Sequence, residues 1–119
     1  MNITNKSLSI VTGATGGLGM AISDSILNKE GKLLFIARDL QKINSYVDIV
    51  EPSKRPFLFN IQSDLSKEED LQKTEMLIKE IIENNDDIEE IFLFNNASII
   101  DPISLIKDVN FKDISNALV

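Results

Sequence analysis

The chain has 119 residues, of which 43% are hydrophobic and 26% charged, so it is long enough for one ordinary domain and too short for two. The 19 acidic residues outnumber the 12 basic ones and leave a net charge of −7, which argues against a nucleic-acid partner because neutralising a phosphate backbone requires a basic surface. The absence of Cys and His excludes disulfides, thiol nucleophiles, Ser–His hydrolysis and zinc sites built on those ligands.

Four short apolar runs predict the strands of the fold. Each run is nearly continuous rather than alternating, which is typical of strands covered on both faces in a parallel sheet. The runs occupy residues 8–11, 33–36, 57–59 and 91–94.

Three stretches with helical spacing lie between these runs. Gly31 follows the first, where a left-handed residue commonly ends a helix, and the predicted apolar face comprises Leu18, Ala21, Ile22, Ser25 and Ile26. The second helix is predicted to begin after Asp39 as its N-cap, with a sparse apolar pattern at Leu40, Ile43 and Val47. Ser66 and Glu69 predict a capping box for the third, whose apolar face comprises Leu71, Ile78, Ile81 and Ile82.

The resulting order of elements is β-α-β-α-β-α-β, which requires crossover connections and a parallel sheet. We therefore predict an α/β fold, the first half of a Rossmann-type doubly wound sheet with strand order 3-2-1-4 and helices on both faces. Its fourth strand is expected to form an exposed edge that promotes self-association.

A last helix is predicted over residues 111–119, with Asn110 as its cap, and it ends on the apolar Val119. Such an end leaves the carbonyls of the last helical turn without a capping partner. Either the helix frays there or, as we expect, residues 1–119 are the nucleotide-binding domain of a longer protein. No apolar run approaches the ~20 residues of a membrane helix and no signal peptide is evident, which favours a cytoplasmic protein without membrane association.

The strongest functional signal is the glycine loop, residues 12–19, which joins the first strand to the first helix and carries four glycines. Glycine lets backbone N–H groups approach a pyrophosphate closely, and the helix N-terminus adds the positive end of its dipole. Gly19 is followed by Met20 rather than the Lys of a Walker loop, which argues against triphosphate hydrolysis. The alternative for the glycine loop is a purely structural turn.

The glycine loop resembles that of the short-chain dehydrogenases/reductases. Thr12, Gly13, Gly17 and Gly19 match the Thr-Gly-x-x-x-Gly-x-Gly pattern of the classical members, although Gly16 also permits the pattern of the extended members. Two further motifs favour the classical family: Asp-Leu at 64–65 and Asn-Asn-Ala-Ser at 95–98, which is similar to Asn-Asn-Ala-Gly.

The resemblance implies a nicotinamide dinucleotide bound by a defined set of residues. In such a site the Asp64 carboxylate accepts from the adenine amino group, the N–H of Leu65 donates to the ring, and Asn95 ties neighbouring strands together. Ser98 departs from the family's glycine and adds a hydroxymethyl group close to the coenzyme. The implied coenzyme-binding set is Gly13, Thr15, Gly17, Leu18, Gly19, Arg38, Asp64, Leu65, Asn96 and Ala97.

The end of the second strand predicts which coenzyme is bound. Ala37 stands where NAD-preferring members carry an acid, and Arg38 where NADP-preferring members carry a base that pairs with the 2′-phosphate. Asp39 also fits the acid of the NAD fingerprint, but we interpret it as a helix N-cap. NADP is therefore predicted, with NAD and an exposed, uninvolved Arg38 as the alternatives.

No catalytic residue is identified in these 119 residues. The family's acid/base Tyr has a Lys four residues on, whereas Tyr46, the one tyrosine, is followed there by Val50; we expect it to be a partly packed surface aromatic. Asn116 lies too early for the family's relay Asn. The acidic run at 86–90 is predicted to be a solvated loop, and no metal site is predicted.

The resemblance thus implies an NADP-dependent reductase with a small carbonyl substrate and a homo-oligomeric full-length form, of which this segment alone is inactive. Residues 96–103 are faintly similar to bacterial carbonyl reductases of the sepiapterin-reductase and benzil-reductase type, and 3-oxoacyl-carrier reductases are a further possibility. The competing hypotheses are a non-catalytic dinucleotide-binding sensor or scaffold and, less compatible with the glycine loop, a structural interaction module. A Ser followed by Tyr-x-x-x-Lys beyond Val119 distinguishes the reductase from the sensor.

Overall fold

The computed structural model describes residues 2–95 and 103–106. Its strands are β1 (Ser7–Thr12), β2 (Lys32–Ala37), β3 (Leu58–Gln62), β4 (Glu90–Asn95) and β5 (Ile103–Ile106). Its helices are α1 (Gly17–Asn28), α2 (Leu40–Ile49) and α3 (Glu68–Glu83), and a 3₁₀ turn covers Arg55–Phe57. The predicted helix at 111–119 and the predicted site residues Asn96 and Ala97, with Ser98, lie outside the described residues.

The strands form one sheet in the order β3-β2-β1-β4-β5. The first four are parallel, which confirms the predicted order 3-2-1-4. The expectation that β4 is an exposed edge is wrong, because β5 pairs with it in the antiparallel direction, with Glu90 opposite Ile106. The apolar runs alone gave no indication of this reversal.

The sheet is covered on both faces, as the continuous apolar runs indicated. All six residues of β1 and of β2 are buried. On one face Ile26, Leu27 and Ile43 from α1 and α2 belong to a buried cluster with strand residues, and on the other Ile78 and Ile81 from α3 belong to a second. Among the described residues, no helix combines the length and apolar character needed to cross a bilayer.

The predicted apolar face of α1 is confirmed at Ile26, which is buried, and at Ile22, which packs against the core, but is wrong at the start of the helix. Leu18 and Ala21 are exposed, and the buried residues are Gly19, Ser23, Ile26 and Leu27. A Cβ on Gly19 would lie 2.7 Å from the carbonyl oxygen of Gly13, so this side of the helix faces the preceding loop at backbone contact distance. The helix therefore turns its glycine inward and leaves the leucine outside.

The C-terminus of α1 also differs from the prediction. Glu30, not Gly31, is the left-handed residue, with φ of 63°. The N–H of Gly31 donates to Ile26 O at 3.1 Å and that of Glu30 to Leu27 O at 3.0 Å, which is a Schellman motif. Gly31 is required for space, since a Cβ there would lie 2.6 Å from Cγ2 of Ile3.

Of the predicted N-caps of α2 and α3, one is confirmed and the other is wrong. Asp39 is the N-cap of α2, as predicted, and its Oδ1 accepts from the N–H of Gln41 at 3.0 Å and of Lys42 at 3.3 Å. The capping box of α3 is wrong: the N-cap is Lys67, which makes no side-chain cap bond. Ser66 instead donates to the Asp64 side chain.

Tyr46 is not a surface residue as expected but is 1% exposed. Its ring stacks on Phe35 at a centroid distance of 4.4 Å, and its hydroxyl donates to Asp24 Oδ1 at 2.8 Å. Burial and this bond raise the pKa of Tyr46 above its ordinary value. The predicted solvated loop at 86–90 is also tied down in part, because Asp87 Oδ2 accepts from Lys32 Nζ at 2.9 Å.

Candidate functional site

A cleft of about 1240 Å³ lies where the parallel strands end. Its lining includes the last residue of each of β1, β2, β3 and β4, so it opens at their carboxyl ends, where doubly wound sheets bind ligands. The lining residues are Thr12, Gly13, Thr15, Ile36, Ala37, Arg38, Asp39, Leu40, Gln41, Lys42, Gln62, Ser63, Asp64, Leu65, Ser66 and Asn95.

The glycine loop is shaped by its backbone. Gly13 has φ of 60°, a conformation that favours glycine. The N–H of Gly16 donates to Gly13 O at 3.3 Å, and the N–H of Ala14 donates to Ile36 O at 3.2 Å, which ties the loop to the end of β2. A Cβ on Gly19 would also lie 2.8 Å from Cα of Ala14, so this contact between helix and loop requires glycine.

The N-terminus of α1 fits an anionic group. Its N-cap, Gly16, supplies no side-chain cap, and the first turn contains no acid, so α1 offers no carboxylate of its own to the N-terminal N–H groups at Gly17, Leu18 and Gly19. Among the described residues, apart from its chain neighbours and the helix's own backbone, no atom lies within 4 Å of a Cβ added to Gly17. This open space over bare backbone is what a diphosphate requires. Leu18 in this first turn is 49% exposed.

The end of β2 and the first turn of α2 bring two cations to the cleft. Ala37 is buried, whereas Arg38 is exposed and lines the cleft together with Lys42. The carbonyl of Arg38 accepts from Gln62 Nε2 at 3.1 Å, which fixes its backbone to β3. Asp39 also lines this part of the cleft, but its Oδ1 is engaged as the α2 cap. The carboxylate that fits the NAD fingerprint therefore has a structural role.

The β3–α3 turn, residues 63–67, presents Asp64 and Leu65 to the cleft. The Asp64 Oδ1 accepts from the hydroxyl of Ser66 at 2.6 Å and from its N–H at 3.1 Å. These two bonds, with a smaller contribution from the charges of Lys67 and Arg38, hold the pKa of Asp64 below its ordinary 3.8. The side chain is therefore an ionised acceptor at neutral pH.

The ends of β1 and β4 are joined by side chains. Thr12 Oγ1 donates to Asn95 Oδ1 at 3.0 Å, so Asn95 links neighbouring strands in the way the resemblance implied. Among residues 2–95 and 103–106, no three metal-ligating side chains of the His, Cys, Asp and Glu types come together.

Five of the eight described candidate residues line the cleft, and the other three lie at the start of α1, outside its lining. Gly13, Thr15, Arg38, Asp64 and Leu65 line the cleft, and Gly17, Leu18 and Gly19 start the helix that follows the glycine loop. Sequence reasoning missed Lys42, although its position four residues after Arg38 is a signal that could have identified it. Sequence reasoning also missed Asp70, whose side chain accepts from the N–H of Asp64 at 2.7 Å. Asp70 belongs to no recognisable sequence motif.

Three comparisons with known proteins agree with this geometry. A family model described as short chain dehydrogenase matches residues 8–118. An uncharacterized oxidoreductase of Listeria innocua is 32% identical over an alignment of 128 positions. The alignment covers 99% of this chain and 49% of that protein. The chain thus spans about half the length of this relative.

Two solved structures are similar in fold and to a lesser degree in sequence. A bulky-bulky ketone specific alcohol dehydrogenase from Comamonas testosteroni matches with a TM-score of 0.64 and 25% identity, over 81% of this chain and 37% of that one. A short-chain dehydrogenase/reductase from Brucella melitensis matches with a TM-score of 0.63 and 26% identity, over 85% of this chain and 40% of that one.

Proposed function

Because this chain belongs to the short-chain dehydrogenase family, we propose that it forms the coenzyme-binding part of an NADP-dependent oxidoreductase acting on a carbonyl or alcohol substrate. The bound coenzyme supplies the hydride acceptor or donor. The observation that carries the proposal is the cleft itself, which gathers Gly13, Thr15, Arg38, Asp64 and Leu65 at the carboxyl ends of the strands, beside a helix N-terminus without a side-chain cap.

The chain's own residues bind and orient the two charged parts of the dinucleotide. The N–H groups at the start of α1, from Gly17 to Gly19, bind the diphosphate, because they lack a side-chain cap and face open space at Gly17. Asp64 and Leu65 bind the adenine, one as acceptor and one as backbone donor. Asn96 and Ala97, which follow β4 in the sequence, are proposed to lie against the adenosine ribose.

Arg38 favours NADP over NAD. Its guanidinium lines the cleft, and a 2′-phosphate forms charge-assisted hydrogen bonds with such a group. Lys42 supplies a second cation in the same lining, and Asp39, the acid that could serve a ribose 2′-hydroxyl, is already the cap of α2. Thr15 adds a hydroxyl at the loop.

The test is the dissociation constant of NADPH and of NADH, measured by fluorescence on the full-length protein. We expect NADPH to bind more tightly, and Arg38→Ala to weaken NADPH by about tenfold or more while leaving NADH nearly unchanged. Lys79→Ala removes one charge from an exposed position of α3 and serves as the control. Tighter NADH binding by the wild type contradicts the NADP assignment.

Hydride transfer is tested separately on the full-length protein. The proposal expects NADPH oxidation with ketone or aldehyde substrates, carried out with a Ser, Tyr and Lys from outside these 119 residues. Binding of the coenzyme without turnover of any carbonyl compound would instead support the sensor or scaffold alternative. The expected cytoplasmic location and homo-oligomeric state are further parts of the proposal, and fractionation and light scattering of the full-length protein test them.

A further inference from the structure

The β3–α3 turn is held by an acid that the predicted site did not include. Asp70 is the third residue of α3, and its Oδ2 accepts from the backbone N–H of Asp64 at 2.7 Å. The Asp64 carbonyl accepts from the N–H of Lys67 at 2.9 Å. With Ser66 bound to Oδ1, both backbone polar groups of Asp64 and one carboxylate oxygen have partners within the turn.

Asp70 does not return to the N-cap of its own helix, whose N–H instead donates to the Asp64 carbonyl. An acid at the third position commonly returns to the N–H of the N-cap, as in a capping box. Here the N-cap, Lys67, provides no side-chain cap for α3, and the carboxylate of Asp70 is directed to the turn instead. Departures from local rules of this kind are concentrated at functional sites.

The other groups of Asp70 anchor the turn to the body of the helix. Its carbonyl accepts from Ser63 Oγ at 3.3 Å and from Thr74 Oγ1 at 2.9 Å, and Thr74 Oγ1 also lies 2.9 Å from Ser63 Oγ. Ser63 and Thr74 are 2% and 0% exposed, so these bonds are shielded from water. The turn is therefore attached to a buried point of α3.

The hydrogen bonds of the turn leave two groups available, and both belong to residues that line the cleft. Within the described residues, Asp64 Oδ2 and the N–H of Leu65 have no hydrogen-bond partner. Arg38, Lys67 and Lys73 surround the two carboxylates in a small adjoining cleft of about 340 Å³, and their charges offset the repulsion between Asp64 and Asp70.

We infer that Asp70 is a positioning residue for the adenine end of the coenzyme: by holding the N–H of Asp64, it presents the Asp64 carboxylate and the Leu65 N–H to the base. The inference rests on the proposed function, because it assumes that adenine binds at this turn. Asp70 itself does not touch the coenzyme.

The test compares NADPH with its hypoxanthine analogue, in which a carbonyl oxygen replaces the adenine amino group. Binding of both to the full-length protein is measured for the wild type, Asp70→Asn and Asp70→Glu. We expect the wild type to prefer adenine by about tenfold, because the carbonyl at position 6 of the analogue is an acceptor and cannot donate to Asp64 as the amino group does. Asp70→Glu moves the acceptor by one methylene and is expected to abolish most of this preference. Asp70→Asn keeps a carbonyl acceptor in place and is expected to retain it within about twofold.

Glu69→Gln, which removes the neighbouring acid of the same helical turn, is the matched control and is expected to keep the wild-type preference. If Asp70→Glu keeps the full wild-type preference for NADPH over the hypoxanthine analogue, the inference is overturned. It is also overturned if Asp70→Glu loses affinity equally for both coenzymes, because that result indicates a merely structural role. If Asp70→Asn loses as much of the adenine preference as Asp70→Glu does, the inference is also overturned, because the charge at residue 70 then matters rather than the position of its acceptor oxygen. A wild type that binds neither NADPH nor NADH overturns the proposed function instead.

Discussion

At the glycine loop the cleft is shaped by backbone, whereas at the β3–α3 turn it is shaped by side chains. Gly13 and Gly16 close the loop with a backbone hydrogen bond, and its contact with α1 permits no Cβ at Gly19. At the turn, the side chains of Asp64, Ser66 and Asp70 make the bonds.

This difference determines how each region responds to mutation. A backbone site has no side chain to remove, so it fails when a side chain is added. A site made by side chains loses ligand affinity by an amount that depends on which acceptor or donor is removed. We therefore expect large steric effects at the glycine loop and graded, ligand-selective effects at the turn.

The largest effect is expected for Gly19→Ala. The new Cβ would lie 2.7 Å from Gly13 O and 2.8 Å from Ala14 Cα, so the loop must move. Displacing two charge-assisted hydrogen bonds to the diphosphate lowers coenzyme affinity by about a hundredfold, and overpacking costs roughly 1–3 kcal/mol of folding stability. Calorimetric titration and urea unfolding measure the two effects.

Gly17→Ala is the matched comparison within the glycine loop. Beyond its chain neighbours and the helix's own backbone, its Cβ would meet no atom of the described residues within 4 Å, so folding stability is expected to stay within ~0.5 kcal/mol of wild type. Coenzyme affinity is nevertheless expected to fall, because the methyl group enters the open space assigned to the diphosphate. Unchanged coenzyme affinity in this variant contradicts that assignment.

A smaller and more selective effect is expected for Asp64→Asn at the turn. The amide cannot match a carboxylate as acceptor for the adenine amino group, so NADPH affinity is expected to drop about tenfold. The same substitution at the exposed Asp86 is the control. Fluorescence titration measures the NADPH affinity of both variants. If the two affinities are equal, Asp64 does not contribute to the site.

The lowered pKa of Asp64 adds a pH prediction for the wild type. Because the pKa lies below 3.8 in the folded protein, any stability contributed by this group is present above pH 3.8 and is lost as the pH falls through the lowered value. The adenine preference is therefore expected to be constant from pH 8 to pH 5. A preference that titrates within this range indicates a different acceptor.

These outcomes also show what could be read from the sequence. The glycine loop, the strand order and the Asp39 cap were predictable, because glycine spacing, continuous apolar runs and a cap residue each act locally. The holding of Asp64 by Asp70 was not predictable, because Ser66 and Glu69 satisfied a capping-box pattern that the structure does not use. Whether an acid caps a helix or a turn depends on contacts six residues apart.

The other differences have tertiary causes. The face of α1 depends on where Gly19 meets the preceding loop, and the burial of Tyr46 depends on Phe35 in β2 and Asp24 in α1. Neither contact leaves a periodic signal in the sequence.

Tyr46→Phe is expected to change stability without affecting either end of the cleft. Losing the hydroxyl that donates to Asp24 costs about 1 kcal/mol. The pKa of Tyr46 is raised above its ordinary 10.0, so its contribution is present below pH 10 and declines as the pH rises beyond that value. Urea unfolding at pH 8 to 11 should show this decline in the wild type and not in the variant, with coenzyme affinity at pH 8 unchanged.

The smallest effect is expected for Ser9→Ala. Within the described residues, the Ser9 hydroxyl is buried and has no hydrogen-bond partner. Removing it is expected to leave stability unchanged or to raise it by up to ~1 kcal/mol, with coenzyme affinity as in the wild type. A clear loss of stability in thermal unfolding indicates that the hydroxyl has a partner after all.

The most direct measurement is a crystal structure of the full-length protein with NADPH. We predict that diphosphate oxygens accept hydrogen bonds from the N–H groups at Gly17–Gly19 and that the adenine lies against the turn at Asp64 and Leu65. A coenzyme bound in the opposite direction, or with its phosphates away from the start of α1, contradicts it.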